Sequence, residues 1–217
     1  MHRVQASLRG YCMLPTADAG VYPRLGIGAE CGYSGRVSLA SVFTPAAYGF
    51  VYGYLPGLIP QHGLRLSAIG QLQTGSDSRF GENSVTTYPR GMSYASSYIA
   101  AVYRSQARLT ADYKMAVAPV DWTWLCPLAY IRNFEVTLHA DAGIYAGSRY
   151  DSLTGTGTLY SAGADFCAVL GNLAWLPFDT RAGVTWSFNG GSAYGAFKSL
   201  GAPMKRNYVG LTFSVDM

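Results

Sequence analysis

The chain has 217 residues and a net charge of +4, and only 13% of its residues are charged, about half the fraction of an average soluble domain. Its 16 Lys and Arg are scattered and leave no nucleic-acid patch. No window holds the roughly 18 apolar residues that a membrane-spanning helix needs. Many Gly (26) and Tyr (17) on a weakly charged chain fit an outer-membrane β-barrel wall better than a soluble sandwich, whose water-facing side would carry more charge. Cys12, Cys31, Cys126 and Cys167 lack C-x-x-C spacing, which argues against zinc. Cys12, Cys31 and Cys167 sit in apolar strand runs and read as buried or lipid-facing small residues.

Period-two alternation predicts nine strands, near 2–13, 21–33, 38–54, 62–74, 106–117, 133–147, 158–171, 174–188 and 205–217. The first sets Val4, Ala6 and Leu8 against Arg3, Gln5, Ser7 and Arg9. The opening "MHRVQASLRGYCML" has no apolar signal core, so either an export address lies upstream or the membrane reading is wrong. Pro45 interrupts the 38–54 run, and "LPGLIP" (55–60) reads as a tight turn. A long polar connection covers 75–105. Within it, "SDSRFGEN" (76–83) lacks calcium-loop spacing and reads as an exposed loop.

Beyond that loop, Leu109, Ala111, Tyr113 and Met115 alternate with Arg108, Thr110, Asp112 and Lys114. Next, Phe134, Val136, Leu138, Ala140, Ala142 and Ile144 alternate with Glu135, Thr137, His139, Asp141 and Gly143. Pro177 disturbs the 174–188 run, and a second polar connection spans 189–204. No helical period of useful length is read anywhere. The last strand puts Val209, Leu211, Phe213 and Val215 on one face, against Tyr208, Thr212, Ser214 and Asp216. A barrel wall requires this pattern, because successive side chains point to lipid and to the lumen. A charge on the lipid face costs about 2–4 kcal/mol at mid-membrane.

Glu135, His139 and Asp141 share one strand face. They could ligate a metal, but period-two polar positions in a lumen produce such clusters routinely. Only His2, His62 and His139 exist, and no nucleophile–base pair is legible. "GTGTLYSAG" (155–163) lacks the Lys of a phosphate loop and reads as a turn entering a strand. No catalytic, cofactor-binding or metal residue is therefore assigned. Trp122, Trp124, Trp175, Tyr130, Tyr145 and Tyr160 lie near strand ends, where an interfacial aromatic girdle would sit.

Three features recur in a telling order. Arg90-Gly91-Met92 lies in the 75–105 connection, "YKMAVAP" (113–119) on the next strand, and "HADAG", with His139, Asp141 and Gly143, on the strand after that. Five strands follow the loop. From about residue 62 onward the chain resembles the C-terminal half of the barrel in the bacterial surface antigen family. These are outer-membrane assembly and translocation factors with sixteen-stranded barrels. Met92 and His139 stand where that family carries aromatic residues.

The resemblance implies an all-β, antiparallel transmembrane barrel. Residues 1–217 would be one domain, incomplete at the N-terminus. The loop would fold into the lumen, with Arg90 pairing with Asp141, Gly91 allowing the sharp turn and Gly143 completing the wall motif. The strand carrying Val209, Leu211, Phe213 and Val215 would close the membrane wall. The implied role is non-enzymatic: insertion, translocation or assembly at the bacterial outer membrane, without cofactors. The implied partners are outer-membrane lipid and unfolded outer-membrane protein clients or an upstream periplasmic domain, but not nucleic acid. The alternative is a small closed barrel of eight or ten strands, a passive pore or structural anchor, in which 2–13 pairs with 205–217.

Overall fold

The computed structural model describes residues 3–14, 22–36, 45–73, 87–95, 103–123, 130–148, 156–171, 173 and 179–215. Nine strands are present: β1 (Arg3–Met13), β2 (Gly26–Arg36), β3 (Ala46–Pro56), β4 (His62–Gln73), β5 (Tyr103–Trp122), β6 (Tyr130–Ser148), β7 (Gly157–Gly171), β8 (Thr180–Gly190) and β9 (Asn207–Val215). They form a single antiparallel sheet in which each strand pairs with its sequence neighbours. The first and last strands do not pair with each other, so the sheet is open at both edges. Among the described residues the all-β expectation therefore holds, and closure into a barrel is not observed.

The register follows from side-chain chemistry. Apolar residues oppose apolar ones: Leu8 faces Cys31, Leu55 faces Leu64, Leu109 faces Ala142 and Val184 faces Leu211. On the other face Asp112 opposes His139, Asp141 opposes Ser161 and Asp165 opposes Thr185. A slip of one residue would exchange the two faces, so this pattern fixes the pairing. The two faces differ sharply. Leu8, Leu109, Leu138, Phe166 and Leu211 are exposed, Leu211 at 89%, while Gln106, Asp112, Glu135, His139, Asp141, Ser187 and Asn189 are buried. The sheet thus hides its polar face and presents its apolar one.

Prolines stand in sequence ahead of two strand starts. Proline cannot donate to the ladder. β3 starts at Ala46, just past Pro45, and β8 starts at Thr180, beyond Pro177. Residues 38–44 and 174–178, expected as strand, lie outside the described residues, as does the loop read over 76–83. β5 runs on to Trp122 through register shifts at Ala116/Ala118 and Pro119/Trp122, irregularities that accommodate Pro119.

The connection 189–204 was expected to lack a helix and contains one, α1 (Ser192–Ser199). Its buried side chains are Ala193 and Phe197, one helical turn apart, and Tyr194 packs partly buried against the same cluster. So short an apolar side shows no clear period in sequence, and a helix this short persists through tertiary packing. Phe197 is fully buried among Tyr103, Tyr145, Leu159 and Met92, with Ala202 and Met204 completing the cluster. The rings of Tyr103 and Phe197 meet edge-on at 5.8 Å. Phe197→Leu keeps apolar volume but loses this ring contact. It is expected to cost about 1 kcal/mol, read from urea unfolding of the protein in detergent micelles.

That cluster corrects the girdle reading. Tyr145 is fully buried on the polar face, and Tyr130 lies over Gly171, also on that face. Alternation turns both rings inward, and a glycine leaves room for each to lie along the wall. Trp122 and Tyr160 are about half exposed; Trp124 and Trp175 lie outside the described residues. Cys12 and Cys31 are exposed, in register with Ile27 and Leu8 on the apolar side. Cys167 instead faces inward, opposite Glu135, which sets aside the lipid-facing alternative for that residue.

Candidate functional site

A short 3-10 helix, Arg90–Ala95, lies against the polar face. It begins at Pro89, whose carbonyl accepts the Met92 N–H at 2.9 Å and closes a tight turn. Three carboxylates from three successive strands converge on Arg90. Its guanidinium donates to Asp112 of β5 at 2.6 Å and to Asp165 of β7 at 2.9 Å. Asp141 of β6 accepts the Arg90 backbone N–H at 2.9 Å. Arg90 and Asp141 thus meet, but the side-chain partners are Asp112 and Asp165 rather than Asp141. The reason is geometric: the turn presents its backbone to the middle strand, and the long side chain reaches the strands on either side. Burial works against the charge on Arg90, but Asp112, Asp141 and Asp165 more than offset it and hold the guanidinium above its ordinary pKa.

Gly91 is pressed against the wall. A β-carbon there would lie 2.6 Å from Ser187 Cβ, 2.8 Å from Ser161 Oγ and closer still to Asn189 Oδ1. Its N–H donates to Ser161 Oγ at 3.3 Å, and its carbonyl accepts from Asn189 Nδ2 at 2.8 Å. Close approach of backbone to wall, not an unusual φ, is what requires glycine here. Met92 follows into the apolar cluster and is fully buried.

Gly143 acts at one remove. A β-carbon there would lie 2.7 Å from Tyr145 Cε2. Its absence lets the Tyr145 ring lie back along its own strand, and the hydroxyl donates to the Thr87 carbonyl at 2.9 Å. Thr87 also donates to Gln106, and Arg108 donates to the Tyr88 carbonyl at 2.8 Å. The approach to the turn, residues 87–89, is held as firmly as the turn itself.

Sequence reasoning named Arg90, Gly91, Asp141 and Gly143. It missed Asp112, Asp165, Ser161 and Asn189 as partners of the turn. All four stand on the polar register, and that register was the available signal. Glu135 has a separate role: it accepts from Lys114 at 2.7 Å and Arg181 at 2.9 Å. Of the last strand, Val209, Leu211 and Phe213 are exposed on the apolar face, and Val215 ends β9.

Ser187, His139 and Asp165 fall in the order of a nucleophile, a base and an acid. His139 Nε2 is 3.0 Å from Ser187 Oγ, and its Nδ1 is 3.5 Å from Asp165 Oδ1. Ser187 is fully buried, however, and the Gly91 backbone sits on its Cβ. With the turn in place, Ser187 forms part of the floor beneath Gly91. Comparison of the chain with protein-family models, curated proteins and solved structures gives no match.

Proposed function

We propose that this chain forms part of the wall of an outer-membrane β-barrel of surface-antigen type, acting without covalent chemistry in insertion, translocation or assembly of outer-membrane proteins. One observation carries the reading: an Arg-Gly turn is seated by three carboxylates on a buried polar face whose reverse is continuously apolar. In a membrane wall the exposed side chains of Leu8, Leu109, Leu138, Phe166 and Leu211 would meet hydrocarbon, and every backbone group would find a partner along the ladder. The seated turn would then occupy the lumen. The two open edges fit a sheet that continues into further strands, as in a larger barrel. The partners on this reading are lipid, unfolded outer-membrane protein clients and a periplasmic domain.

The membrane arrangement is tested with nitroxide labels at Leu138 and Thr137, in a background with the four native cysteines replaced by serine and the protein in lipid vesicles. The Leu138 label should be relaxed by dissolved oxygen, the Thr137 label by a water-soluble nickel chelate. Equal accessibility at the two positions would end the membrane-wall reading. The role in assembly is tested separately, by adding an unfolded outer-membrane protein to the same vesicles. Faster folding of that client supports the proposal. Steady ion conductance without faster folding replaces it with a passive pore.

A further inference from the structure

The carbonyls leading into the last strand are tied to the docked turn by one residue. Asn189, at the end of β8, is fully buried. Its side-chain amide donates to two carbonyls, Gly91 at 2.8 Å and Lys205 at 3.0 Å. Two acceptors on one nitrogen fix which way the amide faces. Its own N–H donates to the Arg206 carbonyl at 2.7 Å. Arg206 immediately precedes β9, whose first pair is Asn207 with Phe188. A second, apolar link runs in parallel: Met92 of the turn shares its cluster with Ala202 and Met204.

We propose that Asn189 is a positioning residue that couples docking of the Arg-Gly turn to order at the upper end of β9. Among the described residues β9 is an edge strand and pairs only with β8. Its outward side chains are poorly covered, with Val209 at 66% and Leu211 at 89% exposed. Such an edge frays easily unless its ends are held. When the turn is docked, Gly91 and Lys205 share one donor, and Met92 completes the cluster that holds Met204. When the turn leaves, the Gly91 bond and the Met92 contact are both lost, and the entry to β9 loosens. Coupling is reciprocal, so any strand that pairs with the free edge of β9 and orders it also favours the docked turn. The inference uses only the turn and the edge, and stands whether or not the apolar face meets lipid.

The test is hydrogen exchange, read by mass spectrometry on the full chain in detergent micelles, at β9 amides bonded to β8. Asn189→Ala, Gly91→Val and Arg90→Gln are compared with the parent. Each is expected to raise exchange over 208–211 about ten-fold or more, while amides at the centre of the β5–β6 pair stay protected. The Asn189→Ala/Gly91→Val double variant should fall short of the sum of the two single changes, because they share the Asn189–Gly91 link. Faster β9 exchange in Asn189→Ala alone would overturn the proposal, since Asn189 would then only tie its own hairpin. Uniform acceleration across the sheet, or none, would overturn it equally. If Gly91→Val fails to fold, Arg90→Gln decides the matter, because it loosens the turn without touching Asn189.

Discussion

Valine in place of Gly91 is expected to expel the Arg-Gly turn from the polar face. Its β-carbon alone would fall 2.6 Å from Ser187 Cβ and 2.8 Å from Ser161 Oγ, distances that real side chains do not adopt. The neighbours cannot yield easily, because Ser187 and Asn189 are fully buried on a paired strand. Overpacking of this kind costs about 1–3 kcal/mol. The hydrogen bonds from Gly91 to Ser161 and from Asn189 to Gly91 add about 1 kcal/mol each when broken. We expect a loss of about 3 kcal/mol in urea unfolding, with protease cleavage appearing near residue 90. Unchanged stability and resistance to protease would show that the turn tolerates a side chain and that the close approach is not decisive.

Arg90→Met is expected to be as damaging for a different reason. Methionine keeps much of the length but none of the charge. Asp112 and Asp165 lose their partner while their side chains remain only 5% and 14% exposed. Stranding a buried charge costs about 3–5 kcal/mol. Arg90 is itself one-third exposed, so the lower end, about 3 kcal/mol, is the expected value. Because the cost lies in the abandoned carboxylates, Arg90→Met combined with Asp112→Asn and Asp165→Asn should recover most of the stability. A triple variant as unstable as the single one would move the cost from charge to packing. Combined with Gly91→Val, Arg90→Met should add less than its full effect, since either change alone releases the turn.

Much of this arrangement was legible in the chain because period two carries two messages together. At Leu109–Lys114 and Phe134–Gly143 alternation gave both the strand and the face of each side chain, and register then followed from matching faces. The Arg90-Gly91 pair was named through the resemblance, from its place in the long polar connection between two strand runs. Its partners were harder to read. Asp112 and Asp165 look like any other polar-register residue, and what selects them is the three-strand span of one guanidinium, a distance across the sheet that no local pattern encodes. α1 escaped because its buried side is two residues long, and its stability comes from Tyr103, Tyr145 and Met92, which are remote in sequence. Tyr145 was misplaced because an aromatic near a strand end has two uses, and the glycine beneath it, Gly143, decides between them.

Strand direction adds a constraint. Eight antiparallel pairings separate β1 from β9, so the two rims of the sheet point the same way. Bending the sheet onto itself would bring like-directed rims together, and so would joining it to one identical copy in the same orientation. A ring built solely from opposed neighbours therefore needs an odd number of strands inserted between the rims, whatever supplies them. Seven, the difference between nine and sixteen, meets that arithmetic, whereas a second copy of nine meets it only when inverted relative to the first.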